Sequence, residues 1–146
     1  MKFKNTRAKT VSRVKLGKII QMYFSKITID HEPRVILKKR LLDFLRNKNF
    51  IYSKALKRKI FLTKLPDAIL ERKDSQKRRL QCFRVAIDIL RRSKHFSQNP
   101  KNRNEFEIKG FSAENYTVFV HLREEISQKN RQLFFVSCYF KKTPTS

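Results

Sequence analysis

The chain has very little glycine and cysteine, and it has no tryptophan. Its two glycines, Gly17 and Gly110, cannot form a glycine-rich phosphate loop, which argues against binding of nucleoside triphosphates. Its two cysteines, Cys82 and Cys138, have no CxxC spacing, and both fall on apolar stripes. This pattern predicts two buried thiols rather than a disulfide, a metal site or a nucleophile.

Metal-binding and membrane-spanning patterns are missing as well. The histidines His31, His95 and His121 lack zinc spacing such as HxxxH, and Glu124 with Glu125 makes a poor two-metal site. No apolar run approaches the length of a membrane span, and the basic N-terminus has no apolar stretch followed by a small-residue cleavage site. The sequence therefore predicts no metal, no cofactor and no transmembrane segment.

Positive charge, by contrast, is abundant. Lys and Arg number 36 against 12 Asp and Glu, for a formal net charge of +24. Such an excess destabilises a compact state by self-repulsion, and a polyanionic partner is the simplest reason for it. Nucleic acid is the first candidate. The excess lies mostly before residue 104, because residues 104–146 hold six basic and five acidic side chains.

Apolar residues at helical spacing predict a basic two-helix extension over residues 1–58. The first helix covers residues 10–27, and the second covers residues 33–48, where Pro33 is preorganised for a first helical position. The second helix carries a run of cations across its polar side that can contact phosphate. These are Lys38, Lys39 and Arg40.

A third and stronger amphipathic helix is predicted over residues 75–93, with Leu80, Phe83, Ile87 and Leu90 on one stripe. Both of its ends are basic. The cations are Lys77, Arg78 and Arg79 at the start, and Arg91 and Arg92 at the close. The first group opposes the helix dipole, which favours a phosphate contact, although a solvated face is the alternative.

Three stretches of alternating residues predict β-strands at residues 105–109, 116–123 and 133–140. Each strand has an apolar face, which in the third holds Phe134, Val136, Cys138 and Phe140. The opposite face carries side chains suited to chemistry. They are Glu107, Lys109, Thr117, Phe119, His121, Arg123, Phe135, Ser137, Tyr139 and Lys141.

The order of these elements predicts an α+β domain. Successive strands with short links pair antiparallel, and residues 59–63 offer a possible fourth strand. We therefore expect a small antiparallel sheet of three to four strands, backed by the helix at 75–93 and preceded by the helical extension. Residues 59–146 form the domain on this interpretation, or residues 10–146 form one compact unit.

The polar face of the predicted sheet has the groups that RNA cleavage without a metal requires. A base removes the proton of the ribose 2′-OH, an acid protonates the leaving 5′-oxygen, and a cation stabilises the phosphorane. His121 can serve as acid or base, Glu107 as the other partner, and Arg123 as the phosphate clamp. Further contacts to phosphate or to a base can come from Ser137, Tyr139, Lys141 and Phe119.

The carboxyl-terminal half of the chain also resembles a group of ribonucleases. A helix, then strands, then Phe140-Lys141-Lys142-Thr143-Pro144 looks like the RelE-type toxins and the wider barnase–EndoU–colicin–RelE-like group. The His121-x-Arg123 pair resembles the sparse His/Arg sets of that group. The resemblance implies a ribonuclease toxin acting in the cytoplasm of a target cell, with an antitoxin or immunity protein as partner. The long basic N-terminal region departs from compact RelE toxins and favours an effector delivered from another cell or by a secretion system.

Two other functions stay open. The basic helices and exposed aromatic residues would suffice for a non-catalytic RNA- or DNA-binding protein. The lysine-rich amphipathic helices would also suit a binder of membrane surfaces or acidic proteins. In either case His121 would pair with Glu107 or Tyr139 as a structural contact. The concentration of His121, Glu107 and Arg123 on the least basic part of the chain favours the ribonuclease.

Overall fold

A computed structural model describes residues 22–71, 73–127 and 130–143. The elements in chain order are β1 (Tyr23–Phe24), α1 (Arg34–Asn47), β2 (Phe50–Ser53), β3 (Arg58–Phe61), α2 (Leu65–Leu70), α3 (Gln76–Gln81), α4 (Phe83–Arg92), β4 (Ser97–Gln98), β5 (Glu105–Phe111), β6 (Tyr116–Ser127) and β7 (Asn130–Lys142).

The described strands form one seven-stranded mixed sheet that curls into a half-barrel. At its centre β5, β6 and β7 pair antiparallel. Beyond β7 lie β3, which is parallel to it, and then β2, antiparallel to β3. On the other side β5 pairs with β1 in parallel and with β4 in antiparallel orientation. The fold is α+β, but the prediction of a small antiparallel sheet of three to four strands is wrong.

The extra strands come from short stretches whose pairing is settled by tertiary contacts. Tyr23 and Phe24 fit the apolar stripe predicted for the first helix, but they form β1. The Tyr23 hydroxyl donates to Asp88 Oδ2 at 2.9 Å, and this contact with α4 helps to hold β1 against β5. Helix propensity is a weak prior that such contacts override. The part of the predicted first helix at residues 10–21 lies outside the described residues.

Helix α4 covers one face of the sheet, which we name the inner face. Helix α4 packs against β5, β6 and β2, while α2 and α3 pack along β7. The helix predicted at residues 75–93 is present as two pieces, α3 and α4, which meet at Cys82. Leu37 and Leu41 of α1 belong to the same buried cluster as Ile60 of β3, Val120 of β6 and Leu90 of α4.

A β-bulge in β7 divides this strand into two parts with opposite alternation. His121 pairs with Ser137 and Leu122 pairs with Phe135, so Val136 is the extra residue. Such a bulge re-aims the side chains that follow it, and bulges are frequent beside functional sites.

Because of the bulge, the predicted faces of the third strand are wrong for the residues that precede it. Phe135, predicted on the polar face, is fully buried on the inner face, and so is Leu133. Phe134, predicted on the apolar face, instead pairs with Arg123 on the opposite, outer face. After the bulge Cys138 and Phe140 turn inward, as predicted.

The two cysteines are buried free thiols, as the sequence predicts. Their Sγ atoms lie 3.5 Å apart, where the junction of α3 and α4 meets β7. Burial raises the pKa of Cys82 well above its ordinary value, so this thiol stays protonated. Over the described residues, no helix has the length and apolar character needed to cross a membrane.

We predict that Gly110→Ala destabilises the fold by about 1–3 kcal/mol, the cost of overpacking a tight site. A Cβ at this position would lie 2.8 Å from the Tyr23 carbonyl oxygen and 2.9 Å from Ile89 Cγ1. Urea unfolding measures the change. Lys109→Ala is the matched control, because its exposed side chain predicts a change within about 0.5 kcal/mol. Equal stability of both variants would contradict the packing of β1 and α4 around Gly110.

Candidate functional site

The register of β5, β6 and β7 places Glu107, His121 and Ser137 side by side on the outer face of the sheet. His121 Nε2 lies 2.9 Å from Glu107 Oε2, within hydrogen-bonding distance. The side chains of His121 and Glu107 are 42% and 29% exposed. The pair is therefore reachable from solvent, yet its carboxylate is partly shielded.

The lowered pKa of Glu107 determines which nitrogen of the His121 ring carries the proton. The hydrogen bond from His121 lowers the pKa of Glu107, and it outweighs partial burial, which acts in the opposite direction. An ionised carboxylate has no proton to donate, so Nε2 of His121 must be the donor. In the neutral ring the proton then sits on Nε2, and Nδ1 is left with a free lone pair.

Two stacked aromatic rings lie beside the imidazole on the outer face of the sheet. The Tyr139 ring lies edge-on to the His121 ring at a centroid distance of 5.3 Å, and Phe119 stacks on Tyr139 at 4.8 Å. Lys141 Nζ is 5.7 Å from the centroid of Tyr139. Burial raises the pKa of Tyr139, and the charge of Glu107 adds to this effect. The phenol therefore keeps its proton at neutral pH and can donate it or share it in a hydrogen bond.

Three cations surround the pair. Arg79 of α3 contacts β7 beyond Phe134, where the pairing of β7 with β3 has ended. It donates there to Ser137 Oγ and, at 3.4 Å, to the Cys138 carbonyl oxygen. On the outer face of β6, Arg123 lies two residues from His121 and contacts Glu125 at 3.3 Å. Lys64, which precedes α2, donates to the same carboxylate at 2.5 Å. This lysine is the main reason that the pKa of Glu125 is lowered.

Two cavities open at this site, and His121, Arg123 and Val136 line both. The first has a volume of 440 Å³ and extends toward β4, where Ser97, Asn99 and Glu105 line it. The second has a volume of 590 Å³ and extends toward the helices. Its other lining residues are Lys64, Asp67, Ala68, Arg79, Ser137 and Tyr139. A substrate can thus extend from the imidazole in two directions.

The structure brings the six predicted catalytic residues to one face and one region of the sheet. Glu107, His121 and Ser137 form one cross-strand row, and Phe119 pairs with Tyr139 in the next. Sequence reasoning missed Lys64, Asp67 and the β4 residues, because these come from distant segments with no recognisable motif. Arg79 was predicted as a phosphate contact on a helix, and the structure places it in the second cavity.

Of the other predicted nucleic-acid contacts, Phe119 lies beside the site on Tyr139, and none of the others lines either cavity. Arg78 donates to the Phe140 carbonyl oxygen at 3.0 Å and lies over the Phe140 ring, so it covers part of β7 beyond its pairing with β3. Arg92 binds Asp88 at 3.3 Å, and Arg40 binds Glu32 at 2.6 Å. The remaining four are exposed: Lys77, Arg91, Lys38 and Lys39.

No group of three or more His, Cys, Asp or Glu side chains is placed to hold a metal ion within residues 22–71, 73–127 and 130–143. The cavities at the His121–Glu107 pair are lined by the cations Lys64, Arg79 and Arg123 and also by two further carboxylates, Asp67 and Glu105. The arrangement offers a base, a proton donor and fixed positive charge around one reachable imidazole.

We predict that His121→Ala raises the pKa of Glu107, because partial burial would then act on the carboxylate without the hydrogen bond that opposes it. The same bond links stability to pH. Its contribution is present above about pH 4.5, the ordinary glutamate value, and is lost as the pH falls through the lower pKa of the folded state. For a pair this exposed, the contribution is about 0.2–1 kcal/mol.

Carboxyl-detected NMR titration of the parent protein and of His121→Ala measures the change. Glu125 provides an internal reference, because its pKa is lowered by Lys64 and Arg123 and should be the same in both proteins. An unchanged Glu107 value in the variant would show that the two side chains do not pair in solution.

Comparison of the chain with protein-family models, with curated proteins and with solved structures finds no match. The resemblance to RelE-type ribonucleases therefore stays a prediction.

Proposed function

We propose that the protein is a metal-independent ribonuclease whose active centre is the His121–Glu107 pair. The observation that carries this proposal is the 2.9 Å hydrogen bond between His121 Nε2 and Glu107, on an accessible face where two cavities meet. A carboxylate that holds one imidazole nitrogen leaves the other free for proton transfer, as in the histidine–aspartate pairs of hydrolases.

His121 is the general base in this proposal. Its Nδ1 takes the proton of a ribose 2′-OH, and the 2′-oxygen forms a bond to the adjacent phosphorus. Glu107 stays ionised because its pKa is lowered, and it stabilises the imidazolium that forms. Because the substrate supplies its own nucleophile, the reaction requires no activated water.

Tyr139 is the proton donor for the leaving group. Its raised pKa keeps the phenol protonated, and its ring lies beside the imidazole on the same face. The bond from phosphorus to the 5′-oxygen breaks as that oxygen receives the proton. The products are a 2′,3′-cyclic phosphate and a free 5′-hydroxyl. Return of the proton from His121 to the tyrosinate restores the resting state.

Arg79 and Arg123 supply the positive charge that a phosphorane requires. They approach the imidazole from different elements, α3 and β6, and both line the second cavity. Ser137 holds the Arg79 guanidinium beside His121, so its hydroxyl orients a cation rather than acting as a nucleophile. Lys141 adds charge beside the Tyr139 ring.

The charge distribution supports an RNA substrate. The net charge of +24 draws a polyanion toward the protein, whereas the strands that carry the site are nearly neutral. On this proposal the enzyme acts in the cytoplasm of a target cell. A cell that makes it then needs an antitoxin or immunity protein to protect its own RNA.

We predict that the purified protein cleaves total RNA in excess EDTA and that His121→Ala lowers the rate by about 10²–10⁴-fold, the usual contribution of a general base. Glu107→Gln should also lower the rate, because an amide can donate to Nε2 and so favour the wrong ring tautomer. Lys48→Ala is the control, because Lys48 is exposed and lines neither cavity, and its activity should match the parent protein.

The products distinguish the mechanism from contamination and from simple binding. End-group analysis should show 2′,3′-cyclic phosphates that are absent with His121→Ala. Full activity of that variant would remove His121 from the mechanism. Intact RNA with every protein, together with salt-sensitive binding, would instead indicate a non-catalytic RNA-binding protein.

A further inference from the structure

A row of aromatic side chains crosses the outer face from the edge strand β2 to the His121 site. Phe50 pairs with Phe61, Phe61 with Phe134, and Phe134 with Arg123. The ring centroids are 6.0 Å apart at both steps of the row. Paired residues on neighbouring strands point to the same side of the sheet. The row therefore continues directly into the candidate active centre.

Lysine amines lie against the rings of this row. Lys59 Nζ is 4.5 Å from the centroid of Phe50 and is the amine open to a phosphate. Lys64 Nζ is 4.7 Å from the centroid of Phe134, but its charge is paired with Glu125. Tyr52 pairs with Lys59 in the neighbouring row of β2 and β3. Phe50 and Tyr52 are 39% and 56% exposed, so the edge of the sheet presents two accessible rings beside an amine.

This combination of groups matches the chemistry of a single-stranded nucleic acid. Every base offers an aromatic face that stacks on a side-chain ring, and amines placed between the rings neutralise the phosphates. Paired bases in a duplex do not offer those faces to a protein surface. A protein partner would match this surface less well, because a protein surface does not offer flat bases that alternate with regularly spaced anions.

We propose that the outer surface of β2 and β3, formed by Phe50, Tyr52, Lys59 and Phe61, binds the bases of a single strand whose reacting phosphate lies at His121. The proposal rests on the proposed function for the identity of that strand as RNA. Three strand spacings of about 4.8 Å separate β2 from β6, which places the exposed rings about 14 Å from the strand that carries His121. These rings therefore contact nucleotides beyond the scissile bond.

The test measures binding of a non-cleavable strand, so that it does not depend on catalysis. A fluorescent 2′-O-methyl oligonucleotide of about ten nucleotides falls within the site sizes of single-strand-binding grooves. Fluorescence anisotropy should show about tenfold weaker binding for each of Phe50→Ala and Tyr52→Ala. Phe24→Ala is the matched control, because Phe24 is 38% exposed, lies on β1 at the other end of the strand order from β2, and lines neither cavity. It should bind like the parent protein.

Three further readings separate this proposal from the proposed ribonuclease activity. Loss of binding in Phe50→Ala and Tyr52→Ala supports the stacking surface even if the parent protein cleaves no RNA. Cleavage of a dinucleotide should be unchanged in both variants, because the rings lie away from the reacting atoms. Affinity for a blunt duplex should also be unchanged.

Equal affinity of the parent protein and both ring variants for the single strand would overturn the proposal, and so would a parent protein that does not bind the strand at all. A similar loss of affinity in Phe24→Ala would overturn it too, because it would show a general effect of removing exposed rings. Thermal unfolding of each variant verifies that the fold is retained, as the exposure of both rings predicts.

Discussion

The pairing of β6 with β5 and β7 is the constraint on which the rest of the structure depends. It aligns Glu107, His121 and Ser137 across three strands. A one-residue slip in either ladder would turn His121 toward the helices and bring an aliphatic side chain to the outer face. Helix α4 opposes such a slip, because Val120 and Leu122 are fully buried on the inner face. Burial on one face thus fixes the chemistry on the other.

The bulge at Val136 reconciles two demands on β7. Before the bulge the strand must bury Leu133 and Phe135 beneath the sheet, and after it the strand must bury Cys138 and Phe140. An unbroken alternation would meet only one of these demands. The extra residue changes the alternation directly opposite His121, and Val136 itself lines both cavities. The irregular backbone and the candidate active centre therefore coincide.

The sequence predicted the centre of the sheet and most of the site, because these rest on local alternation that a reader can see. The alternation along β5 and β6 was enough to assign the faces of Glu107 and His121. Their pairing follows because a short loop joins these two strands. Phe135 could not be placed, because a bulge has no strong signature in one sequence. The edge strands β1 and β4 have two residues each, and their pairing depends on partners far along the chain. Lys64 and Arg79 enter the site for the same reason, from segments that only the tertiary fold brings near.

The order of strands has a consequence for how the molecule forms during synthesis. β7 comes last in sequence among the described strands, yet it lies between β6 and β3 near the middle of the sheet. The hairpin of β2 and β3 emerges from the ribosome early and has no sheet to join until β7 has been made. Such non-local pairing is slow to form. The aromatic row, the bulge and the shared wall of both cavities all include residues of β7, so none of them can form before that strand has been made.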